Sequence, residues 1–126
     1  MILLAMSYDV RLLRPAVDFI EGLPRKLRAK ALRTVELLRR FGPELGEPHA
    51  KAITGARGLR ELRVRFGSDI CRLFYFRREG VVYVVTSGYV KKARKLKDSE
   101  IERARRLMRE VLEEDYGQEE GHDGEL

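Results

Sequence analysis

Cysteine and histidine are scarce in this 126-residue chain, which contains one Cys and two His. Cys71 has no partner for an internal disulfide, and in the apolar run 70–76 we expect it to be a packed, buried thiol. His49 in a loop and His122 near the C-terminal end share no metal-ligand spacing with each other or with Cys71. We therefore expect no disulfide framework, no metal site and no cofactor.

Long apolar stretches are also missing. No segment approaches the roughly 18 consecutive apolar residues of a membrane-spanning helix, and residues 2–6 lack the basic leader and the length of a signal peptide. The chain has no glycine-rich phosphate loop, and no serine stands in a nucleophile elbow with a histidine to activate it. These absences favour a cytoplasmic protein with no membrane partner, and they argue against nucleotide-binding α/β folds and serine hydrolases.

Positive charge is what the sequence has in excess, and it is unevenly placed. All 26 Lys and Arg precede position 113, together with 13 of the 20 acids, so residues 1–112 carry a net charge of +13. Residues 113–126 hold the other seven acids and no base. So basic a body attracts polyanions, usually nucleic acid, although arginine can equally serve surface ion pairs. We expect one domain over 1–112 and a disordered acidic tail over 113–126.

The apolar patterns predict a small α+β domain of order β-α-α-β-β-β-α. The sheet is expected to be mainly antiparallel, with the helices packed on one face and the other face free to carry a site. Residues 44–58, rich in glycine and proline, are expected to form a loop. The expected elements are a strand over 2–13, helices opening at Pro15 and Pro24, strands over 61–66, 70–76 and 81–87, and a helix opened by a capping box at Ser99.

The candidate chemistry lies in basic side chains on the predicted strands. Arg63 and Arg65 project from one side of their strand by alternation, and Arg72 interrupts an apolar central strand, where an arginine needs a reason to be present. The basic stretch 89–97 follows the last strand. Each group also has a structural alternative. Arg72 can form a salt bridge to Glu61 or Asp69, and Arg63 and Arg65 can line a solvated strand face. The run 91–97 can be a flexible basic linker.

These groups are sufficient for a ribonuclease that needs neither metal nor histidine, because RNA supplies its own nucleophile, the 2′-hydroxyl. Arginines can stabilise the extra charge on the phosphorane, and a tyrosine can stack on a base or assist the leaving oxygen. A lysine can accept the hydroxyl proton only if clustered cations lower its pKa from its usual value of about 10.4.

Several short segments, in order, resemble one known family. The segments are 45–49 (Leu-Gly-Glu-Pro-His), 58–63 (Gly-Leu-Arg-Glu-Leu-Arg), 72–76 (Arg-Leu-Phe-Tyr-Phe), 88–92 (Gly-Tyr-Val-Lys-Lys) and 99–104 (Ser-Glu-Ile-Glu-Arg-Ala). Together they resemble the phage-derived, HigB-like branch of the RelE toxin superfamily, over about residues 7–112. Two segments depart from it: Ser87-Gly88-Tyr89 stands where the family usually has His-Gly-Phe, and 93–97 replaces Thr-Gln-Lys-Thr-Pro.

The resemblance implies a RelE-like fold and ribosome-dependent cleavage of messenger RNA. It also implies a helix-turn-helix, HigA-like antitoxin, through which the complex can form oligomers. We expect Arg63 and Arg72 on the phosphate, Lys91 or Lys92 as base and Tyr89 stacking or assisting. The residues expected to bind RNA around them are Arg60, Arg65, Arg94, Lys95 and Lys97. The alternatives are a protein that binds RNA or the ribosome with little or no cleavage, and a partner whose basic face holds an acidic antitoxin.

Overall fold

The computed structural model describes residues 7–91 and 97–124, with side chains described as far as residue 114. The expected strand over 2–6 therefore lies outside the described residues. Three helices and five strands are present in that part of the chain, with a short 3-10 helix at Gly42–Glu44. The elements are β1 (Asp9–Leu12), α1 (Arg14–Glu21), α2 (Arg25–Phe41), β2 (Ala50–Ala52), β3 (Leu59–Phe66), β4 (Asp69–Glu79), β5 (Val82–Val90) and α3 (Asp98–Gly124).

The five strands form one sheet in the order β1-β5-β4-β3-β2. The pairs β2–β3, β3–β4 and β4–β5 are antiparallel, and β1 pairs with β5 in parallel. The predicted α+β class, element order and mainly antiparallel sheet are confirmed. This order makes β4 the central strand, so Arg72 stands in the middle of the sheet as expected.

Helices α1 and α2 cover one face of the sheet, which we call the hairpin face. The apolar stripe predicted for α2 is buried there at Leu27, Ala31 and Leu38. It packs with the strand residues that alternation turns to the same side, including Leu62 and Leu73. A glycine is required where α1 meets β5, since a Cβ on Gly88 would stand 2.6 Å from Phe19 Cδ2 and 2.8 Å from the carbonyl oxygen of Arg72.

Helix α3 does not share that face. It packs through Ala104, with Ile101 and Met108, against Phe74 and Tyr89 on the opposite side of the sheet, which we call the site face. The expectation that the helices occupy one face holds for α1 and α2 and is wrong for α3. The physical reason is that the site face also carries large apolar side chains, which need their own cover. The site is therefore confined to the part of this face that α3 leaves free.

Two strands differ from the sequence prediction. The stretch 44–58 was expected to be a loop, yet Ala50–Ala52 forms β2 and pairs with β3. Strand β5 continues to Val90, past the expected end at residue 87, and so includes Tyr89. Both differences extend the sheet near the two arginines. Strand β2 pairs with β3 next to Arg63, and the last residues of β5 pair with β4 at Arg72.

The last helix is longer than its expected domain. It begins at Asp98, one residue before the proposed cap Ser99, and continues to Gly124. Its backbone thus runs through most of the acidic segment expected to be a disordered tail, and the division at residue 112 stays a prediction. No helix in the described ranges combines the length and the apolar character needed to span a membrane.

Candidate functional site

A row of polar side chains crosses the site face from strand to strand. Arg63 on β3 is paired directly with Arg72 on β4, which is paired with Tyr89 on β5. Directly opposed residues of antiparallel strands place their side chains on the same face, with Cβ atoms about 5 Å apart. The register therefore brings together three of the predicted catalytic residues that are far apart in sequence.

Glu61 forms ion pairs with both arginines. Its Oε1 accepts a hydrogen bond from Arg63 Nε at 3.0 Å, and its Oε2 lies 3.8 Å from Arg72 Nε. The side chains of Glu61 and Arg72 are only 3% and 6% exposed, whereas that of Arg63 is 30% exposed. Of the two salt-bridge partners proposed for Arg72, Glu61 is therefore the one found.

The Glu61 contact does not use the full hydrogen-bonding capacity of Arg72. Its Nε and Nη1 are buried and have no hydrogen-bond partner among the residues that the structure describes. Burial lowers the pKa of Arg72 and the nearby Glu61 carboxylate acts to raise it, but a guanidinium stays protonated in proteins. A buried cation with spare donors is the arrangement that an incoming anion can complete.

A cleft of about 580 Å³ opens beside this row, at the end of β3 that β2 leaves uncovered. No carboxylate is found among its described lining side chains, and five of them are basic. The cleft therefore favours a polyanion, with the arginine pair on its floor. We call it the basic cleft, and its basic lining residues are Lys30, His49, Arg63, Arg65 and Arg72.

Tyr89 joins the row to α3. Its ring stacks on Phe74 at a centroid distance of 5.8 Å and an interplanar angle of 12°, and its hydroxyl accepts a hydrogen bond from the Lys97 backbone N–H at 3.2 Å. Burial raises the pKa of the Tyr89 phenol, opposed by that hydrogen bond. The phenol therefore keeps its proton at neutral pH and can act as a donor.

Lys91 lies two residues beyond Tyr89 and follows the end of β5. Its backbone N–H donates to the carbonyl oxygen of Ile70 at 3.0 Å, which holds this end of the chain beside β4. Burial, and then the charge of Arg72, lowers the pKa of the Lys91 ammonium. The direction is the one that proton transfer by a lysine requires.

The other predicted RNA-binding residues are divided between locations. Arg65 lines the basic cleft, and Lys97 is exposed just before α3. Arg60 is on the hairpin face, where its Nε donates to the Tyr75 hydroxyl at 3.1 Å. The structure does not bring Arg60 to the row. The predicted residues Lys92, Arg94 and Lys95 lie outside the described residues.

Sequence reasoning missed three contributors to the site. His49 was expected only as a loop residue, Glu61 only as a possible salt-bridge partner, and Lys30 was not singled out, yet all three border the arginines. A signal existed for Glu61, since it alternates in phase with Arg63 and Arg65. None existed for Lys30, because only the packing of α2 on the sheet brings it to the cleft.

Ser87 stands at the position where the resembled family usually has histidine. It is fully buried beside Phe74 on β5, and its hydroxyl lies 3.3 Å from that of Thr86. It contributes no titratable group to the cleft. No three His, Cys, Asp or Glu side chains in the described part of the chain come together as a metal site requires.

The sequence profile of the phage-derived Gp49-like proteins matches residues 18–109, which is most of the chain. The chain belongs to this family. The match begins in α1 and ends in α3, so it includes every residue of the arginine row and the whole basic cleft. No curated protein sequence matches the chain significantly.

The fold of the Gp49-like chain is that of the RelE toxins. It is similar to a mutant of the Escherichia coli toxin RelE in the free state, with a TM-score of 0.56 and 22% identity over 76% of this chain and 90% of that one. In an archaeal RelE–RelB complex from Pyrococcus horikoshii, the similar chain gives a TM-score of 0.53 and 20% identity over 69% of this chain and 98% of that one. For the toxin–antitoxin complex RelBE2 of Mycobacterium tuberculosis, the TM-score is 0.51 and the identity 21%, over 68% of this chain and 99% of that one.

The family match confirms the expected phage-derived family, and the structural neighbours confirm the expected RelE-like fold.

Proposed function

We propose that this protein is the toxin of a toxin–antitoxin pair, and that it cleaves messenger RNA on the ribosome without a metal ion. The family, the fold and the basic cleft support a ligand that is RNA. Messenger RNA in the ribosomal A site is the proposed substrate, a proposal that follows the resemblance to the RelE superfamily and places the protein in the cytoplasm.

The single observation that carries this proposal is the paired, oriented arginines on the cleft floor. Arg72 is buried, its Nε lies 3.8 Å from Glu61 Oε2, and its Nε and Nη1 have no hydrogen-bond partner among the described residues. Burying such a group costs stability unless a partner completes its hydrogen bonds. A phosphate that gains a negative charge in the transition state is such a partner, and oriented donors in a sheltered site stabilise it more than water does.

Tyr89 and Lys91 are the proposed proton-transfer groups. Attack by the RNA 2′-oxygen requires removal of its proton, and departure of the 5′-oxygen requires one to be delivered. Tyr89, at the end of β5, has a raised pKa, and Lys91, just beyond that strand, has a lowered pKa. The products are a 2′,3′-cyclic phosphate and a free 5′-hydroxyl.

The proposed partner of this toxin is a small helix-turn-helix antitoxin. The archaeal and mycobacterial structural neighbours are themselves complexes of a RelE-type toxin with its antitoxin. A helix-turn-helix reading frame adjacent to the gene, whose product binds the toxin and restores growth, would support this pairing. The antitoxin would also be the route to any larger assembly.

Growth after tightly controlled induction in a bacterial host tests the proposal, with mapping of messenger RNA 5′ ends. The wild type should arrest growth and produce new cuts inside translated codons. Arg63→Gln and Arg72→Lys should reduce cleavage by about 100-fold or more, the usual effect of losing a transition-state donor. The control for Arg63→Gln is Arg11→Gln, which also removes one positive charge, but from β1 at the far edge of the sheet, where Arg11 pairs with Asp9.

Circular dichroism and thermal melting establish that each variant folds. If Arg72→Lys does not fold, the more exposed Arg63 provides the same test. Normal growth and intact messenger RNA from folded wild type would overturn the nuclease proposal.

One observation favours a second candidate, RNA binding with little cleavage. Ser87, at the position of the family histidine, is buried and contributes no acid or base. This candidate predicts a steep salt dependence of RNA binding while the RNA stays intact.

A further inference from the structure

His49 occupies the fourth position of the row across the site face. Strand β2 pairs Ala50 with Leu62 and Lys51 with Glu61, so the next antiparallel step places His49 opposite Arg63. The backbone N–H of Arg63 donates a hydrogen bond to the backbone carbonyl oxygen of His49 at 2.8 Å, which confirms this register.

His49 is the last residue of the turn before β2, next to Ala50, which is buried in the core of the hairpin face. His49 is half-buried and lines the basic cleft together with the two arginines. The order across the sheet is therefore His49, Arg63, Arg72, Tyr89.

The proposed cleavage needs groups on both sides of the phosphorus. The entering 2′-oxygen and the leaving 5′-oxygen lie roughly in line. Tyr89 comes from β5, so it serves only one side of a phosphate held by the arginine pair. His49 comes from the other side, across one strand spacing from Arg63.

We propose that His49 is the general base of the cleavage reaction, acting opposite the proton donor on β5. This inference rests on the proposed function and gives His49 a role that the resemblance to the family does not supply. Imidazole suits the task, because it is the side chain that exchanges protons most readily near neutral pH.

A ring nitrogen of His49 takes the proton of the 2′-hydroxyl, and the 2′-oxygen forms a bond to phosphorus. The bond from phosphorus to the 5′-oxygen breaks, and that oxygen takes a proton from the Tyr89 hydroxyl or the Lys91 ammonium. The histidine then returns its proton to solvent, and the donor takes one proton back from solvent.

Most charged groups around His49 are cationic. They are Lys30 from α2, Arg63 and Arg65 from β3 and Arg72 from β4, with Lys51 two residues further along the chain. One carboxylate stands among them, Glu61 on β3, which is paired with Lys51 and accepts a hydrogen bond from Arg63. The pH dependence that belongs to His49 must therefore be identified by substitution at that residue, because neighbouring groups also influence the profile.

The test is single-turnover cleavage of a messenger RNA in the A site of a programmed ribosome, measured from pH 5.5 to 8.5. His49→Gln should lower the rate at pH 7 by about 100-fold or more, the usual contribution of a general base. It should also remove the rise of rate with pH, while ribosome binding stays nearly unchanged. Added imidazole should restore part of the rate in His49→Gly, a rescue that a purely structural role would not allow. His122→Gln, which changes the other histidine, is the matched control.

Each outcome separates the two proposals. Cleavage by wild type with an unchanged rate and pH profile in His49→Gln would overturn the role of His49 and leave the nuclease intact. Absence of cleavage by the wild type would overturn both. Loss of activity without a change of pH profile and without imidazole rescue would overturn the base assignment alone.

Discussion

The Glu61 carboxylate and the Arg72 guanidinium are buried side by side, with Glu61 Oε2 3.8 Å from Arg72 Nε. Both charges were removed from water during folding, so each depends on the other. Glu61 also accepts a hydrogen bond from Arg63, so one carboxylate is paired with both arginines.

Replacing either member alone should therefore be costly. We expect Glu61→Leu or Arg72→Met to lower the free energy of unfolding by roughly 3 to 5 kcal/mol, because each leaves an uncompensated buried charge. The double variant should lose at least about 1 kcal/mol less than the two single losses combined. Urea denaturation of the four proteins measures this.

The matched control is the exposed pair Glu102 and Arg105 on α3, whose atoms lie 3.0 Å apart. Its coupling should be much weaker, since solvent screens exposed pairs. Additive losses for Glu61 and Arg72 would contradict the view that the two charges stabilise each other.

Gly88 is expected to be irreplaceable for a steric reason. A Cβ there would meet Phe19, Leu73 and the backbone carbonyl of Arg72, all at 2.8 Å or less. The carbonyl cannot move without shifting β4, so Gly88→Ala should cost about 1 to 3 kcal/mol of stability. Gly46→Ala is the control, because nothing lies within 4 Å of its Cβ position. Equal denaturation midpoints for the two variants would contradict the close packing of α1 on β5.

The residues that could be predicted from the sequence are those on long strands with a clear period. Alternation over 61–66 placed Arg63 and Arg65 on one face, and an arginine inside an apolar strand identified Arg72. The same alternation puts Arg60 in phase with Leu62, so its place on the hairpin face was available from the sequence as well. The periodicity of the strands was therefore enough to predict the arginines at the centre of the site.

What could not be predicted depended on tertiary contacts. Strand β2 is three residues long, too short to show a period, and without it His49 has no register. Helix α3 lies on the site face because it packs on Phe74 and Tyr89. No local sequence pattern predicts this contact. The borders of the site were therefore hidden although its centre was visible.

Arg65 should contribute to RNA binding through charge alone. It lines the basic cleft and is exposed at the end of β3. For single-stranded RNA on the isolated protein, Arg65→Gln should reduce the slope of log affinity against log salt by about 0.7, the value for one phosphate contact. The affinity loss should be similar for different RNA sequences. Arg11→Gln should leave the slope unchanged, and equal slopes for both variants would remove Arg65 from the RNA-binding surface.

Cys71 should make the protein less stable in alkali. The thiol is fully buried, and burial raises its pKa from 9.0 to about 11, against a smaller opposing effect of Arg72. In the unfolded chain the thiol ionises at lower pH, so the unfolded state loses its proton first and is favoured as the pH rises. The stabilising effect is complete below the unfolded pKa and is lost between about pH 9 and 11, with a total on the order of 2 to 3 kcal/mol.

The pKa values of Tyr75, Tyr83 and Tyr89 are raised too, so these phenols also affect stability in alkali. The difference in the free energy of unfolding between wild type and Cys71→Ala, measured from pH 8 to 10, therefore isolates the thiol. If the two proteins lost stability in parallel over that range, the thiol would ionise equally well in the folded and unfolded states.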